Sequence, residues 1–268
     1  MPTPLKTVRL SLLCCSALYL SLTSPTLFAA ENNWTVQVAP YLWAISMNGT
    51  VGVGNRRTHV DQSFSKIMQE MSWGGMLWLD ANKGKWGAFL NTMYADLKSG
   101  AHEGPLSVNA TNHFGIFSAG ISYLAYQTCL TYSCSSEAVS RLTLEPYAGF
   151  RFTLNDTTIK ASIPGLTLQN TKNENWTDPI VGARVRYTLT RAWSVLMAGD
   201  IGGVNTSSQY SYNVTGLLGY QPQLRWTNTT FYLGYRWLDQ HYINGSGSNY
   251  FNWNMKLAGP LIGIMITI

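Results

Sequence analysis

The stretch from Trp176 to Leu189 most narrows what this chain can fold into. On one parity it carries Val181, Ala183, Val185, Tyr187 and Leu189, and on the other Asp178, Gly182, Arg184, Arg186 and Thr188. Period-two alternation is the signature of a β-strand, whose successive side chains point to opposite faces. Two arginines and an aspartate on one face do not fit an ordinary soluble core, because a buried charge is costly unless it is paired. They fit a strand whose apolar face meets lipid and whose polar face meets an enclosed lumen.

The same pattern recurs. From Trp193, Val195, Met197 and Ile201 oppose Ser194, Ala198, Asp200 and Gly202. Later, Phe231, Leu233, Tyr235 and Trp237 oppose Thr230, Tyr232, Gly234 and Arg236, and the chain ends on alternating Ile262, Ile264, Ile266 and Ile268. Extended along the chain, the reading predicts about ten strands, with eight or twelve left open. They run from Trp34 to Ser46, Ser72 to Ala81, Trp86 to Leu97, Asn109 to Tyr126, Arg141 to Leu154, Trp176 to Thr190, Trp193 to Gly203, Tyr212 to Leu224, Thr229 to Tyr242 and Trp253 to Ile268.

Composition agrees. Only 12% of residues are charged and 13% are aromatic, against a charged share of about 25% in soluble domains. No stretch after residue 30 is apolar and long enough to span a bilayer as a helix, so a membrane reading requires a closed barrel, the other way to satisfy every backbone group in lipid. The expected fold is therefore an all-β, antiparallel transmembrane β-barrel. Its connections alternate between short turns at one end and long loops around 47–71, 98–108, 155–175, 204–211 and 243–252 at the other. In the first loop, Phe64, Ile67, Met68 and Met71 recur at helical spacing and predict a short helix, or else a loop packed against the barrel rim. Trp34, Trp73, Trp86, Trp176, Trp193, Trp226 and Trp253 fall where strands meet loops, the places that aromatic girdles occupy.

Residues 1–30 read as a signal peptide, with Lys6 and Arg9 before an apolar run from Leu10 to Leu22 and small residues at Ala29 and Ala30. Residues 31–268 are left as the barrel domain, and loss of Lys6 and Arg9 takes the formal charge from +5 to +3, no argument for nucleic acid. Cys14 and Cys15 read as apolar filler in the signal, since Leu13 stands where lipidation needs a small residue. Cys129 and Cys134, five apart in an exported chain, predict a small disulfide loop.

The runs W-T-D-P-I-V-G-A-R from Trp176, G-D-I-G-G from Gly199, G-Y-R-W-L-D from Gly234 and G-P-L-I-G from Gly259 resemble, in that order, a widespread and uncharacterised family of Gram-negative outer-membrane β-barrel proteins. Y-L-W from Tyr41, N-G-T-V-G-V-G from Asn48 and K-G-K-W-G from Lys83 resemble the same family's first half. The chain departs from it at Val204 and Asn205, and by ending on Ile268 where an aromatic is usual. The resemblance implies a single-domain barrel in the outer membrane of a Gram-negative cell and brings no accepted activity. The location implies outer-membrane lipid and lipopolysaccharide as neighbours, and the barrel assembly machinery as a partner during insertion.

Inward parity gives a luminal charge network of Glu145, Arg151, Asp178, Arg184, Arg186, Asp200 and Arg236. In a ten-strand barrel such charges either pair and fill the lumen, making a structural scaffold, or line a narrow porin-like path that favours small anions and other small solutes. Two further readings stay open. Loops rich in Ser, Thr, Asn and Tyr, notably Asn205 to Asn213 and Asn244 to Asn252, suit surface recognition or adhesion. An enzyme at the extracellular mouth would draw on His59 with Asp61, His102, His113, or Asp239 with His241, none of which sits in a recognised motif. No catalytic residue, metal ligand or cofactor is expected, and G-T-V-G-V-G from Gly49 reads as a strand extension or hairpin above the membrane, since it lacks the strand-then-helix context of a phosphate loop.

Overall fold

A computed structural model of the chain describes residues 33–103, 106–129, 140–164, 166–222 and 228–268. In chain order the elements are β1 (Trp34–Trp43), β2 (Ser46–Val53), β3 (Arg56–Gln62), the helix α1 (Phe64–Glu70), β4 (Met71–Lys83), β5 (Trp86–Glu103), β6 (Leu106–Tyr123), β7 (Tyr126–Cys129), β8 (Arg141–Ile163), β9 (Leu166–Asn173), β10 (Trp176–Thr188), β11 (Trp193–Gly202), β12 (Tyr210–Tyr220), β13 (Thr229–Asn244) and β14 (Phe251–Thr267). Ten of these strands close an antiparallel barrel in the order β1-β4-β5-β6-β8-β10-β11-β12-β13-β14, with β14 pairing back onto β1 from Thr267 opposite Gln37 to Leu261 opposite Trp43. Residues 1–30, expected as a signal peptide, lie outside the described ones. So does Cys134, the expected disulfide partner of Cys129.

Closure of β14 onto β1 joins the two ends of the sheet, and the alternation read from sequence becomes an inside and an outside. Outward stand Phe150, Val181, Met197, Leu233 and Ile262, each half-exposed or more, so the barrel's outer surface is an apolar belt. At the end that carries both ends of the barrel chain the belt is bordered by Trp86 on Tyr123, ring centroids 4.9 Å apart, and Trp193 on Tyr220 at 4.8 Å. At the far end it is bordered by Trp73 on Tyr94 at 5.6 Å. Trp176 and Trp253, expected in these girdles, instead face inward and are 4% exposed. Trp226 lies outside the described residues.

Three strands overshoot the belt. β8 is 23 residues long and β5 and β6 are 18 each, whereas β11 manages with 10. At roughly 3.4 Å per residue, β8 reaches far beyond an apolar band of about 25 Å. Beyond it, β5, β6 and β8 are joined by β9, which pairs β8 from Asp156 opposite Asn173 to Ile163 opposite Leu166. The segments expected as loops at 98–108 and 155–175 are thus mostly a raised four-stranded sheet. In the same way β2 and β3, containing G-T-V-G-V-G, form a hairpin that continues the wall along β14 above Ala258.

Gly120 and Gly149 lie directly opposite each other on β6 and β8, where the two backbones approach beneath Phe89. A Cβ on Gly149 would fall 2.1 Å from the Ala119 carbonyl oxygen and 2.7 Å from the Gly120 Cα. Neither contact can relax without parting the strands. Gly149→Val is therefore expected to cut the folded yield several-fold on refolding, read as the share of chain with heat-modifiable gel migration. An unchanged yield would show that the strands can separate there at little cost.

Candidate functional site

The inward faces of the barrel strands meet in two layers. The first is polar and sits at mid-height. Arg184 on β10 reaches across the lumen to Asp80 on β4 with Nη1 to Oδ2 at 2.6 Å and Nη2 to Oδ1 at 3.1 Å. The Trp78 indole donates to the same carboxylate at 2.5 Å, and Glu145 on β8 stands 3.6 Å from the Arg184 Nε. Rings of Trp78, Phe89 and Tyr147 surround the guanidinium at 5.7 to 5.8 Å, replacing water with aromatic faces.

Beside this pair, Arg151 donates from Nη2 to Asp200 at 2.6 Å, from Nη1 to the Ser211 hydroxyl at 2.8 Å and from Nε to Ser118 at 3.3 Å. Asp200 also accepts from the Tyr147 hydroxyl at 2.9 Å and the Asn213 amide at 2.8 Å. Asn213 in turn accepts from the Arg236 Nε at 2.9 Å, and Arg236 Nη1 donates to Asn91 at 3.1 Å and Tyr41 at 3.3 Å. Arg151, Asp200, Asn213 and Arg236 thus form one continuous chain of hydrogen bonds. The cavity left among these groups is about 30 Å³, room for a water or two.

The second layer lies above it, toward the far end, and is mostly aromatic and aliphatic, with the buried Gln240 amide donating to Thr153 at 3.0 Å on the same inward faces. Trp176 stacks on Tyr242 with centroids 4.4 Å apart and planes 6° from parallel, and Phe114 stacks on Trp253 at 5.6 Å. Trp43, Ile116, Leu238, Met255 and Leu257 fill the space among them, each 1% exposed or less. The layers touch where the Arg236 guanidinium lies 4.7 Å over the Trp43 ring.

Of the residues expected in the lumen, the structure joins Arg151 to Asp200 and Arg184 to Glu145, and brings Arg236 into the same network through Asn213. It leaves two apart. Asp178 is fully buried but accepts the backbone N–H of Ser208 at 2.9 Å, holding the β11–β12 loop in which Val204 and Asn205 adopt positive φ. Arg186 is partly exposed and, with Arg191, lines a cavity of about 90 Å³ at the end carrying the barrel's termini. Asp80, the carboxylate that matters most to Arg184, escaped the sequence reading, as did the neutral partners Asn91, Tyr147 and Asn213. Strand parity could have found Asp80, which shares its face with Trp78 and Met76.

The histidine candidates His59, His113 and His241 lie outside the lumen, and the His102 side chain is outside the described residues. Register across β3, β2, β14, β13 and β12 sets Asp61, Asn48, Lys256, Asp239 and Tyr212 in one outward row, and His59, Thr50, Asn254, His241 and Tyr210 in the next. Both rows sit just above the belt, where burial raises the Asp239 carboxyl pKa and lowers that of His241. On the other side of the barrel, His113 Nδ1 lies 2.5 Å from Asp96, which also accepts from Tyr94 at 2.8 Å. These two hydrogen bonds, His113 first, hold the Asp96 carboxyl below its usual range. Among the described residues no three His, Cys, Asp or Glu side chains gather as a metal site would require.

No family model matches the sequence, and no curated protein does. Among solved structures, the chain is similar to the attachment invasion locus protein Ail of Yersinia pestis at 11% identity, with a TM-score of 0.30, over 88% of this chain and 99% of that one. It is similar to the translocator domain of the autotransporter NalP from Neisseria meningitidis at 11% identity, with a TM-score of 0.31, over 87% and 86% of the two chains. The Pseudomonas putida toluene transporter TodX gives 8% identity and a TM-score of 0.28 over 89% and 90%.

Proposed function

We propose that the chain is an outer-membrane β-barrel with a closed lumen, a scaffold that holds the raised sheet of β5, β6, β8 and β9 outside the membrane as a recognition surface. The membrane part of this reading is supported by the girdled apolar belt and by the signal-like first thirty residues. The observation that carries the closed lumen is the stacking of the two layers. An anion path needs arginines free to exchange partners with a passing ion. Arg151 and Arg184 are instead 1% and 5% exposed and locked onto carboxylates, while Arg236 is held by amide and phenol oxygens under a tryptophan ring. Above them the stacked rings of Trp176, Tyr242, Phe114 and Trp253, packed with Leu238, Met255 and Leu257, fill the axis.

Planar bilayers test it. The chain from residue 31 onward, refolded into lipid and shown to be folded by heat-modifiable migration, is expected to give no steady single-channel steps in potassium chloride or potassium phosphate. A steady current, above all one favouring anions, would replace the scaffold with a narrow pore.

A further inference from the structure

The barrel wall has a window. β1 and β4 pair from Trp34 opposite Lys83 up to Pro40 opposite Leu77, and there the ladder stops. Above that point β1 turns at Ala44 and Ile45 into β2, which follows β14, while β4 keeps only β5 as partner as far as Met71. β3 ends opposite Met47, and among the described residues it pairs only β2. Between these edges the chain runs through α1, whose Phe64, Ile67 and Met68 line the cavity behind. At the lower corner the Trp43 N–H meets the Met76 sulfur at 3.1 Å, where a barrel would ordinarily supply a backbone carbonyl.

The window's height is fixed by register. Leu42 faces outward opposite Ile262, which lies opposite Leu233, all three on the apolar belt. Its upper border is the Trp73–Tyr94 girdle pair. The opening therefore looks sideways into the half of the belt nearest the raised sheet, at hydrocarbon level. Behind it lies a cavity of about 40 Å³ lined by apolar side chains throughout, separate from the charged layer. Its lining passes from outward-facing Leu42 and Met68 to inward-facing Met93, Ala95 and Phe114. Met47, Met68, Met71, Met76 and Met93, five of the chain's nine methionines, line it. Unbranched thioether side chains re-pack around guests of differing shape at little cost, and a cavity without polar partners does not hold water.

We propose that this window admits the methyl end of one acyl chain of a lipid from the surrounding outer leaflet, which enters the methionine-lined cavity beside α1. Position chooses the occupant. A solute arriving through water would have to cross the girdle or the filled lumen, whereas a lipid chain is already at the opening. The proposal rests on the belt lying in a membrane and leaves the closed lumen unaffected.

The experiment uses vesicles containing phosphatidylcholine with a diazirine near the end of one acyl chain. The refolded chain is irradiated in them and adducts are mapped by mass spectrometry. Adducts on inward-facing Met93, Ala95 or Phe114, beside those on outward Leu77, Leu79 and Leu90, are expected. In Ala95→Phe, which fills the cavity, the inward adducts should fall about tenfold, the change given by ~1.4 kcal/mol of lost affinity, while the outward ones stay. Met68→Ala, which widens the window without filling the cavity, should raise them, so a poorly folding Ala95→Phe would not spare the idea. Outward adducts alone would overturn the proposal and keep the membrane reading, and no adducts at all would overturn both. Inward adducts from a free diazirine fatty acid but not from the labelled lipid would also overturn it, since the chain would then come from solution.

Discussion

Replacing Asp200 with alanine is expected to destabilise the barrel by about 3–5 kcal/mol, the cost of stranding a buried charge whose partner has been removed. Asp200 neutralises Arg151, which is 1% exposed, and also accepts from Tyr147 and Asn213. Without it, a guanidinium keeps only two hydroxyls, and a phenol and an amide lose their acceptor. The urea midpoint of the vesicle-refolded barrel reads the loss. A partner experiment separates charge from packing. Arg151→Met with Asp200→Leu removes both ends of the pair and should recover most of the stability, because an apolar pair of similar volume does not carry the ions' desolvation cost. If the single change costs under about 1 kcal/mol, the range of exposed pairs, the network is wetter than its geometry implies.

The second large effect concerns the joint between the two layers. Arg236 borders the mid-height cavity and Trp43 borders the methionine-lined one, and the guanidinium lies 4.7 Å over the indole. Trp43→Ala should cost about 3–5 kcal/mol as a large core truncation, and Arg236→Ala should release Asn213, Asn91 and Tyr41 from their shared donor. Either single variant, once folded, is expected to stay electrically silent. The double variant Trp43→Ala, Arg236→Ala should show discrete current steps, since it merges the two cavities. Current in a single variant would mean that one layer alone seals the barrel, and silence in the folded double would mean that the remaining aromatic layer suffices.

The barrel was legible wherever one face meets lipid and the other does not. β10 announced itself through Val181 and Val185 against Arg184 and Arg186, and the parity from Asp178 to Thr188 is as read, although Trp176 at its start faces inward. The raised sheet was illegible because the cause of alternation is gone beyond the belt. Thr157, Thr158 and Lys160 on β8 face solvent on both sides, so nothing in their order separates strand from loop. α1 was visible in Phe64, Ile67, Met68 and Met71, all four of which line one cavity, although its place in the wall needed the pairing of β1 with β4 to be known. The charged layer was half-read for a different reason. Parity identifies which side chains point inward, but the match of Arg184 to Asp80 is a relation across the lumen, set by barrel size and stagger, which one strand's sequence does not contain.

That cross-lumen matching also says something about time. Arg184 and Asp80 are 104 residues apart along the chain, Arg236 and Asn91 are 145 apart, and Arg236 and Tyr41 are 195 apart. None of these bonds can form in a hairpin or a half-built sheet; they exist only once the last strand has met the first. Until then Arg184, Arg236 and Asp80 must stay hydrated, so an unfinished barrel carries its own reason not to sink into hydrocarbon. Folding dominated by such distant contacts is slow. The charges therefore tie entry into the membrane to completion of the ring, with the network snapping shut as the final event.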